Sequence, residues 1–230
     1  MRLHVIHEDN HLLAVHKPAG LLVQGDRSGD ATLVDAARAY LKQAYAKPGN
    51  VYVGLVHRLD RNVSGLVLLA RTSKAAGRLS AAFREGRVTK RYLAVVLGAP
   101  PAPAGELRAY LAAAGDQEGV TRALAVPFAG AKEAVLRYRI AARRGDLSLL
   151  EVEPVTGRRH QIRAQLALVG CPLLGDVKYG APERLPERRL GLHALALELE
   201  HPVGGVPLTL IAPPDQAWPW PPAGEPTEAP

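Results

Sequence analysis

At 230 residues the chain is long enough to bury a substantial core, and its single cysteine, Cys171, excludes an intrachain disulfide framework. A formal net charge of +7 points to a polyanionic partner, because lysine and arginine side chains that neutralise phosphates release counterions, although composition does not separate RNA from DNA or an anionic membrane surface. No apolar run reaches membrane-spanning length and Met1 to Asn10 has no signal-peptide core, so the expectation is a cytoplasmic protein with no membrane partner, monomeric by default.

Leu12 to Val15 reads as a buried strand that His16-Lys17-Pro18-Ala19-Gly20 ends, since proline cannot donate to a ladder and glycine is free to turn; a second short strand is expected over Leu21 to Gln24. His4, His7, His11 and His16 fall on a turn and a strand without a common face and without cysteine partners, so no metal site is expected there. Thr32 is placed to cap a helix in which Leu33, Ala36, Ala37, Tyr40, Leu41 and Ala44 recur at helical spacing, with Asp35 in the first turn and Pro48-Gly49 as the stop. Next, Val51, Val53 and Leu55 alternate ahead of His57-Arg58-Leu59-Asp60-Arg61-Asn62-Val63-Ser64-Gly65, and Leu66 to Ala70 follows, so two strands are joined by a short charged loop. Arg58 and Arg61 on either side of Asp60 favour an ionised carboxylate, and a loop carried by rigid strands is a common place for a reacting group; an ordinary turn explains the same residues.

Ser73 caps a second helix with Ala76, Leu79, Ala82 and Phe83 on one face and Gly86 at its left-handed end. A strand over Val88 to Gly98 puts Lys90, Tyr92 and Ala94 on one face and Arg91, Leu93 and Val95 on the other. From Pro100 to Lys132 glycine, alanine and proline are frequent, and the pattern suggests an irregular hairpin. Val135, Arg137 and Arg139 then alternate with Leu136, Tyr138 and Ile140 as a half-buried strand, its arginines being most simply an exposed polar face. Leu147 to Glu153 forms another strand, after which Thr156 caps a helix carrying Ile162, Leu166 and Val169 and ending at Gly170 and Pro172. Arg159 and Arg163, four residues apart, are expected on one face beside a helix start whose dipole already favours an anion. Leu192 to His201 and Val206 to Ile211 read as the last strands, and the proline-rich tail around Trp218 and Trp220 is expected to lie extended over the surface or to be disordered at its end.

The run from His57 to Ala70 resembles the HRLD-x-x-T-S-G-L-L-L-L-A signature of the RluA family of RNA pseudouridine synthases, with Val63 in place of the threonine. In the same order as the family, the segment from Glu8 to Gly20 resembles E-D-x-x-L-L-V-V-x-K-P-A-G, Lys90 to Ala94 resembles K-x-Y-x-A, and Thr156 to Arg163 resembles T-G-R-T-H-Q-I-R with Arg159 for threonine. Leu174 to Gly180 is similar to a further family stretch, L-G-D-x-x-Y-G, in which Asp176 reads as a turn residue that braces the loop.

The resemblance implies an α+β fold, a single pseudouridine-synthase-type domain over residues 1–212 with a large, mostly antiparallel mixed sheet flanked by helices and loops, followed by the tail 213–230. It implies isomerisation of uridine in RNA: the uracil is detached at N1, turned while bound and rejoined through C5, which then loses its proton. Nothing is oxidised or added, so neither cofactor nor metal is expected. By the same resemblance Asp60 is the catalytic residue, Tyr92 packs on the target uracil, Arg163 pairs with Asp60, and Arg58 fills the space left by the flipped base. Whether Asp60 acts as nucleophile on the sugar, as nucleophile on the base, or as a base at the ribose stays open. Lys17, Arg61, Lys90, Arg158 and Arg159 are the candidate phosphate ligands. With the opening motif at residue 8, no S4-type RNA-binding domain is expected ahead of it, and ribosomal and transfer RNA both suit as substrates. A non-catalytic RNA-binding or chaperone protein is the alternative, but it would not need Asp60, Tyr92 and Arg163 together; a glycoside or nucleoside hydrolase ordinarily opposes two carboxylates, and the motifs offer Asp60 no second one.

Overall fold

A computed structural model describes residues 3–26, 28–46, 48–115 and 119–220. In chain order these form β1 (His4–Glu8), β2 (Leu12–Lys17), α1 (Leu33–Ala44), β3 (Gly54–Leu55), β4 (Ser64–Ala70), α2 (Ser73–Arg84), β5 (Thr89–Leu97), β6 (Ala104–Ala113), β7 (Thr121–Leu124), β8 (Lys132–Arg144), β9 (Leu147–Pro154), α3 (Gln161–Leu168), β10 (Leu192–Glu200) and β11 (Pro207–Ile211). The fold is α+β and mostly antiparallel, and the chain divides into two units: one holds the residues up to Lys90 together with Ala194–Pro214, the other Arg91–His193 together with the segment from Asp215.

In the first unit the strands run β1-β2-β4-β10, with β3 beside β4 and β11 beside β10. β2 and β4 pair antiparallel from Leu12 opposite Ala70 to Lys17 opposite Gly65. Their apolar runs are continuous because both faces are covered: Leu12, Leu13, Ala14, Val15 and Val67 to Ala70 are all fully buried. One face packs with Ala75, Leu79 and Ala82 of α2 and with Leu197, Leu199 and Leu210 of β10 and β11. Thr32 caps α1 as expected, its Oγ1 accepting from Asp35 N at 3.1 Å and donating to the Asp35 carboxylate at 2.7 Å. The cap of α2 is Thr72, not Ser73, with Oγ1 accepting from Ala75 N at 3.2 Å.

Two expected strands shrink for identifiable reasons. Over Leu21 to Gln24 only one bridge forms, Leu22 opposite Thr32: the Leu21 carbonyl accepts from the Lys17 ammonium at 2.9 Å, and the Leu22 and Val23 carbonyls accept from Leu33 N and Val34 N at the start of α1. The alternation at Val51, Val53 and Leu55 yields only the two residues of β3. Beyond them the Leu68 N–H donates to His57 Nε2 at 2.9 Å, so a side chain stands where a strand carbonyl would.

In the second unit the order is β5-β9-β8-β6-β7, with each of these neighbours antiparallel. The stretch read as an irregular hairpin holds two regular strands, β6 and β7, paired from Tyr110 opposite Leu124 to Ala113 opposite Thr121. Their inward face is built largely from small residues, Ala109 and Ala123 beside Leu111, meeting Ala134 of β8 and Ala164 of α3. Thr156 does not cap α3. The residue before that helix is His160, in the left-handed region at φ +51°, while Thr156 Oγ1 accepts from Val135 N at 3.0 Å and donates to Gln161 Oε1 at 2.7 Å. Arg159 therefore precedes the helix and is exposed whereas Arg163 is inside it and buried, and the two do not share a helical face.

The start of the tail also departs from expectation. Trp218 is buried, its ring edge-on to the buried His193 at 5.4 Å, and Asp215 pairs with Arg189 at 2.7 Å while accepting from Ala217 N. A large indole gains more by leaving water than the extended tail would by keeping it exposed. Residues 221–230 of that tail lie outside the described residues.

The tightest backbone approach in the first unit is at Gly65, at φ +120°, where a Cβ would come within 2.3 Å of the Ala194 carbonyl oxygen. Gly65→Ala therefore combines a strained φ with a backbone clash and should lower unfolding stability by about 2–4 kcal/mol in urea titration. A loss below about 0.5 kcal/mol would show instead that β4 shifts freely away from Ala194.

Candidate functional site

In the first unit Asp60 opens a turn closed by the Val63 N–H donating to the Asp60 carbonyl at 3.1 Å, and the buried side chains of Leu59 and Val63 anchor it on either side. The turn is tied to the segment after β2 through one carbonyl, that of Arg61, which accepts from Gly20 N at 2.8 Å and from Lys17 Nζ at 3.0 Å. Lys17 Nζ also donates to the Pro18 and Leu21 carbonyls, each at 2.9 Å. All three ammonium hydrogens are thus engaged and the residue is fully buried. This corrects the expectation that Lys17 meets phosphate: it is a buried brace. Burial draws its pKa down to about 7, the Asp60 carboxylate acting against that fall and the Arg61 charge adding to it.

Arg61 is committed elsewhere as well. Its Nε donates to the Gly20 carbonyl at 2.9 Å and its Nη1 pairs with Asp30 at 2.8 Å, so its guanidinium is engaged with the neighbouring loop. Within this unit the buried cation whose field Asp60 meets is Lys17, a partner that reading the flanking arginines overlooks. Arg58 is exposed. His57 stacks on Phe83 of α2 at 4.7 Å and 21°. Accepting from Leu68 N requires an unprotonated Nε2, and desolvation, with the Lys90 charge second, holds the imidazole pKa down at about 4.

In the second unit Tyr92 is half-buried on β5, opposite Val152 of β9. The run before α3 folds back on Gln161: its Oε1 accepts from Arg158 N at 2.9 Å and its Nε2 donates to the Val135 carbonyl at 2.9 Å, which fixes where the helix starts. Arg163, in the first turn of α3, makes a bidentate pair with Asp176, Nε to Oδ2 at 2.7 Å and Nη2 to Oδ1 at 2.9 Å, with both side chains almost wholly buried. Asp176 is therefore more than a turn brace; it holds the guanidinium. Arg158 and Arg159 remain exposed, Arg158 donating through Nε to the Glu133 carbonyl at 3.0 Å. Lys90, of the first unit, is half-buried at the start of β5.

The arginines of β6 and β8 form a cross-strand ladder with acids: Arg108 with Glu106 at 2.8 Å and Glu133 at 2.9 Å, Arg137 with Glu106 at 3.5 Å and Glu153 at 3.6 Å, and Arg139 with Glu151 at 2.8 Å. Three arginines meet four glutamates there, so this ladder does not account for the excess of positive charge. In the first unit His7 and His201 both reach Asp9 Oδ2, at 3.0 Å and 3.1 Å, and His4 lies opposite His16 across β1 and β2. Among the described residues no group of three or more His, Cys, Asp or Glu is arranged to hold a metal ion, and no helix is long and apolar enough to cross a membrane.

Residues 11–168 match the family model described as RNA pseudouridylate synthase. A protein of Rickettsia prowazekii named ribosomal large subunit pseudouridine synthase C is 34% identical over 91% of this chain and 67% of its own length. A mitochondrial pseudouridylate synthase of Xenopus tropicalis is 34% identical over 93% of the chain and 77% of its own. Among solved structures, human RNA pseudouridylate synthase domain containing 4 superposes with a TM-score of 0.79 at 26% identity, covering 94% of this chain and 90% of that one.

The His57 geometry predicts a pH dependence of stability with a definite sign. Its folded pKa of about 4 lies below the ordinary 6.5, so between those values the unfolded chain binds the proton more readily and stability falls as pH falls. Moving from pH 7 to pH 5, the stability advantage of the wild type over His57→Asn should shrink by about 2 kcal/mol. Urea unfolding at both pH values measures this, and an unchanged gap would mean that the imidazole is not held neutral.

Proposed function

The chain belongs to the RNA pseudouridylate synthase family, and we propose that Asp60 is its catalytic carboxylate, with Tyr92 stacking on the uracil and Arg163 supplying the counter-charge that the motif resemblance assigns to it. The protein is an RNA pseudouridine synthase, an isomerase whose reaction reattaches uracil to the same ribose through carbon. Large-subunit ribosomal RNA is the proposed substrate, supported by the name of the rickettsial relative.

The observation that carries the assignment of Asp60 is the construction of its turn. An ordinary surface turn would not need a fully buried ammonium on three carbonyls, one of them the carbonyl of the very next residue. That arrangement fixes the carboxylate's backbone, which is what an attacking or proton-accepting group requires. The target uridine cannot react inside a base stack, so it is extruded, and the exposed Arg58 is the proposed occupant of the space it leaves.

Tritium release from RNA labelled at C5 of uridine tests this directly. Wild-type protein should release tritium from large-subunit ribosomal RNA, and Asp60→Asn should be slower by at least about 10²-fold, the scale of a positioned acid or base. Release undiminished in Asp60→Asn would overturn the assignment, and release from transfer RNA alone would overturn the substrate. Arg58→Ala should depress turnover on folded RNA more than on an unstructured oligonucleotide; equal losses on both would refute the space-filling role.

A further inference from the structure

Arg163 is held by more than Asp176. Tyr179, in the single helical turn Val177–Tyr179, places its ring under the guanidinium with Cζ 4.9 Å from the ring centroid. The Tyr179 hydroxyl oxygen accepts from the Thr121 N–H at 2.8 Å and lies 2.8 Å from His160 Nδ1, whose ring stands edge-on to the phenol at 86°. Burial, the largest influence, raises the phenol pKa, so the hydroxyl keeps its proton at neutral pH. Thr121 opens β7, in a stretch to which the motifs assign no role, and His160 is the left-handed residue before α3.

A bidentate pair fixes a guanidinium within the plane of the carboxylate but leaves one soft motion, a hinge about the line through the two carboxylate oxygens. A ring against the guanidinium face blocks that motion, and the attraction between cation and ring adds to it. Asp176 occupies Nε–H and one hydrogen of Nη2, so these two contacts contribute to the direction in which the remaining donors of Arg163 point. We infer that Tyr179 is a positioning residue for Arg163, its ring fixing the guanidinium against the hinge motion and its hydroxyl being held in turn by Thr121 and His160. This rests on the proposed role of Arg163 in the reaction.

Two readouts on the full chain separate this role from simple structural support. In single-turnover tritium release, Tyr179→Leu, which removes the ring, should slow the reaction by about tenfold or more, as small misplacements of an oriented group do, while RNA Kd changes by less than about twofold. Tyr179→Phe keeps the ring and should recover most of the rate. The Nε–H resonance of Arg163, assigned by its loss in Arg163→Lys, should exchange with solvent faster in Tyr179→Leu than in the wild type or Tyr179→Phe. A Tyr179→Leu protein with wild-type rate and wild-type Nε–H exchange would overturn the inference, as would Tyr179→Phe matching Tyr179→Leu in both. Should Tyr179→Leu not fold, Tyr179→Met takes its place, with the same outcomes. If Arg163→Lys reacts like the wild type, the catalytic role of Arg163 fails, whereas the exchange measurement still decides whether Tyr179 holds it.

Discussion

The Lys17 ammonium buried among the Pro18, Leu21 and Arg61 carbonyls is the constraint on which the Asp60 turn depends. A buried ammonium without partners would be expelled or neutralised, so its presence requires three acceptors at fixed places. Those acceptors come from two separate pieces of chain, the turn after β2 and the turn after Asp60, and the ammonium therefore welds the two. The proline and glycine of the first turn serve this arrangement: Pro18 and Gly20 end the strand where backbone carbonyls must turn inward, and Gly20 N joins Lys17 on the Arg61 carbonyl.

A parallel logic operates in the second unit. Its buried Arg163 lies within a short helix whose start is set by Gln161 bonding back to Arg158 N and across to the Val135 carbonyl. The guanidinium then meets a carboxylate and a phenol ring from the segment after the helix. In both units a charged side chain is fixed by groups close to it in sequence or one strand away. Long charged side chains otherwise carry much rotamer freedom, and these contacts restrict it in the folded chain.

Much of this was legible from residue pattern. Continuous apolar runs marked β2 and β4, threonine and helical spacing marked α1, and the order of motifs pointed to the family, which the match over residues 11–168 supports. What escaped has physical causes. β6 and β7 hide their periodicity because alanine carries much of the inward face, and alanine has little strand signature. Thr156 had the chemistry of a cap, but its hydroxyl was claimed by Val135 N and Gln161, a competition visible only once β8 is beside it. Lys17 looked like a surface cation because lysine nearly always is one, and no local pattern announces three carbonyls converging from elsewhere in the chain. Asp176 read only as a turn residue bracing its loop, because its partner Arg163 lies across a helix boundary, not at any periodic spacing.

The distribution of charge gives the family activity its physical setting. A net charge of +7 is not spread evenly, since Arg108, Arg137 and Arg139 stand among glutamates that offset them locally. Beyond a Debye length of roughly 8 Å in physiological salt such a ladder exerts little pull on a polyanion. The ladder instead joins an exposed β surface across its strands. The exposed cations outside the ladder include Arg58 beside the Asp60 turn and Arg158 and Arg159 ahead of α3. The buried cations, Lys17 and Arg163, act in the opposite way. Withdrawn from solvent, each is held by groups of its own unit and is not presented to a distant polyanion, Lys17 by the Pro18, Leu21 and Arg61 carbonyls and Arg163 by Asp176.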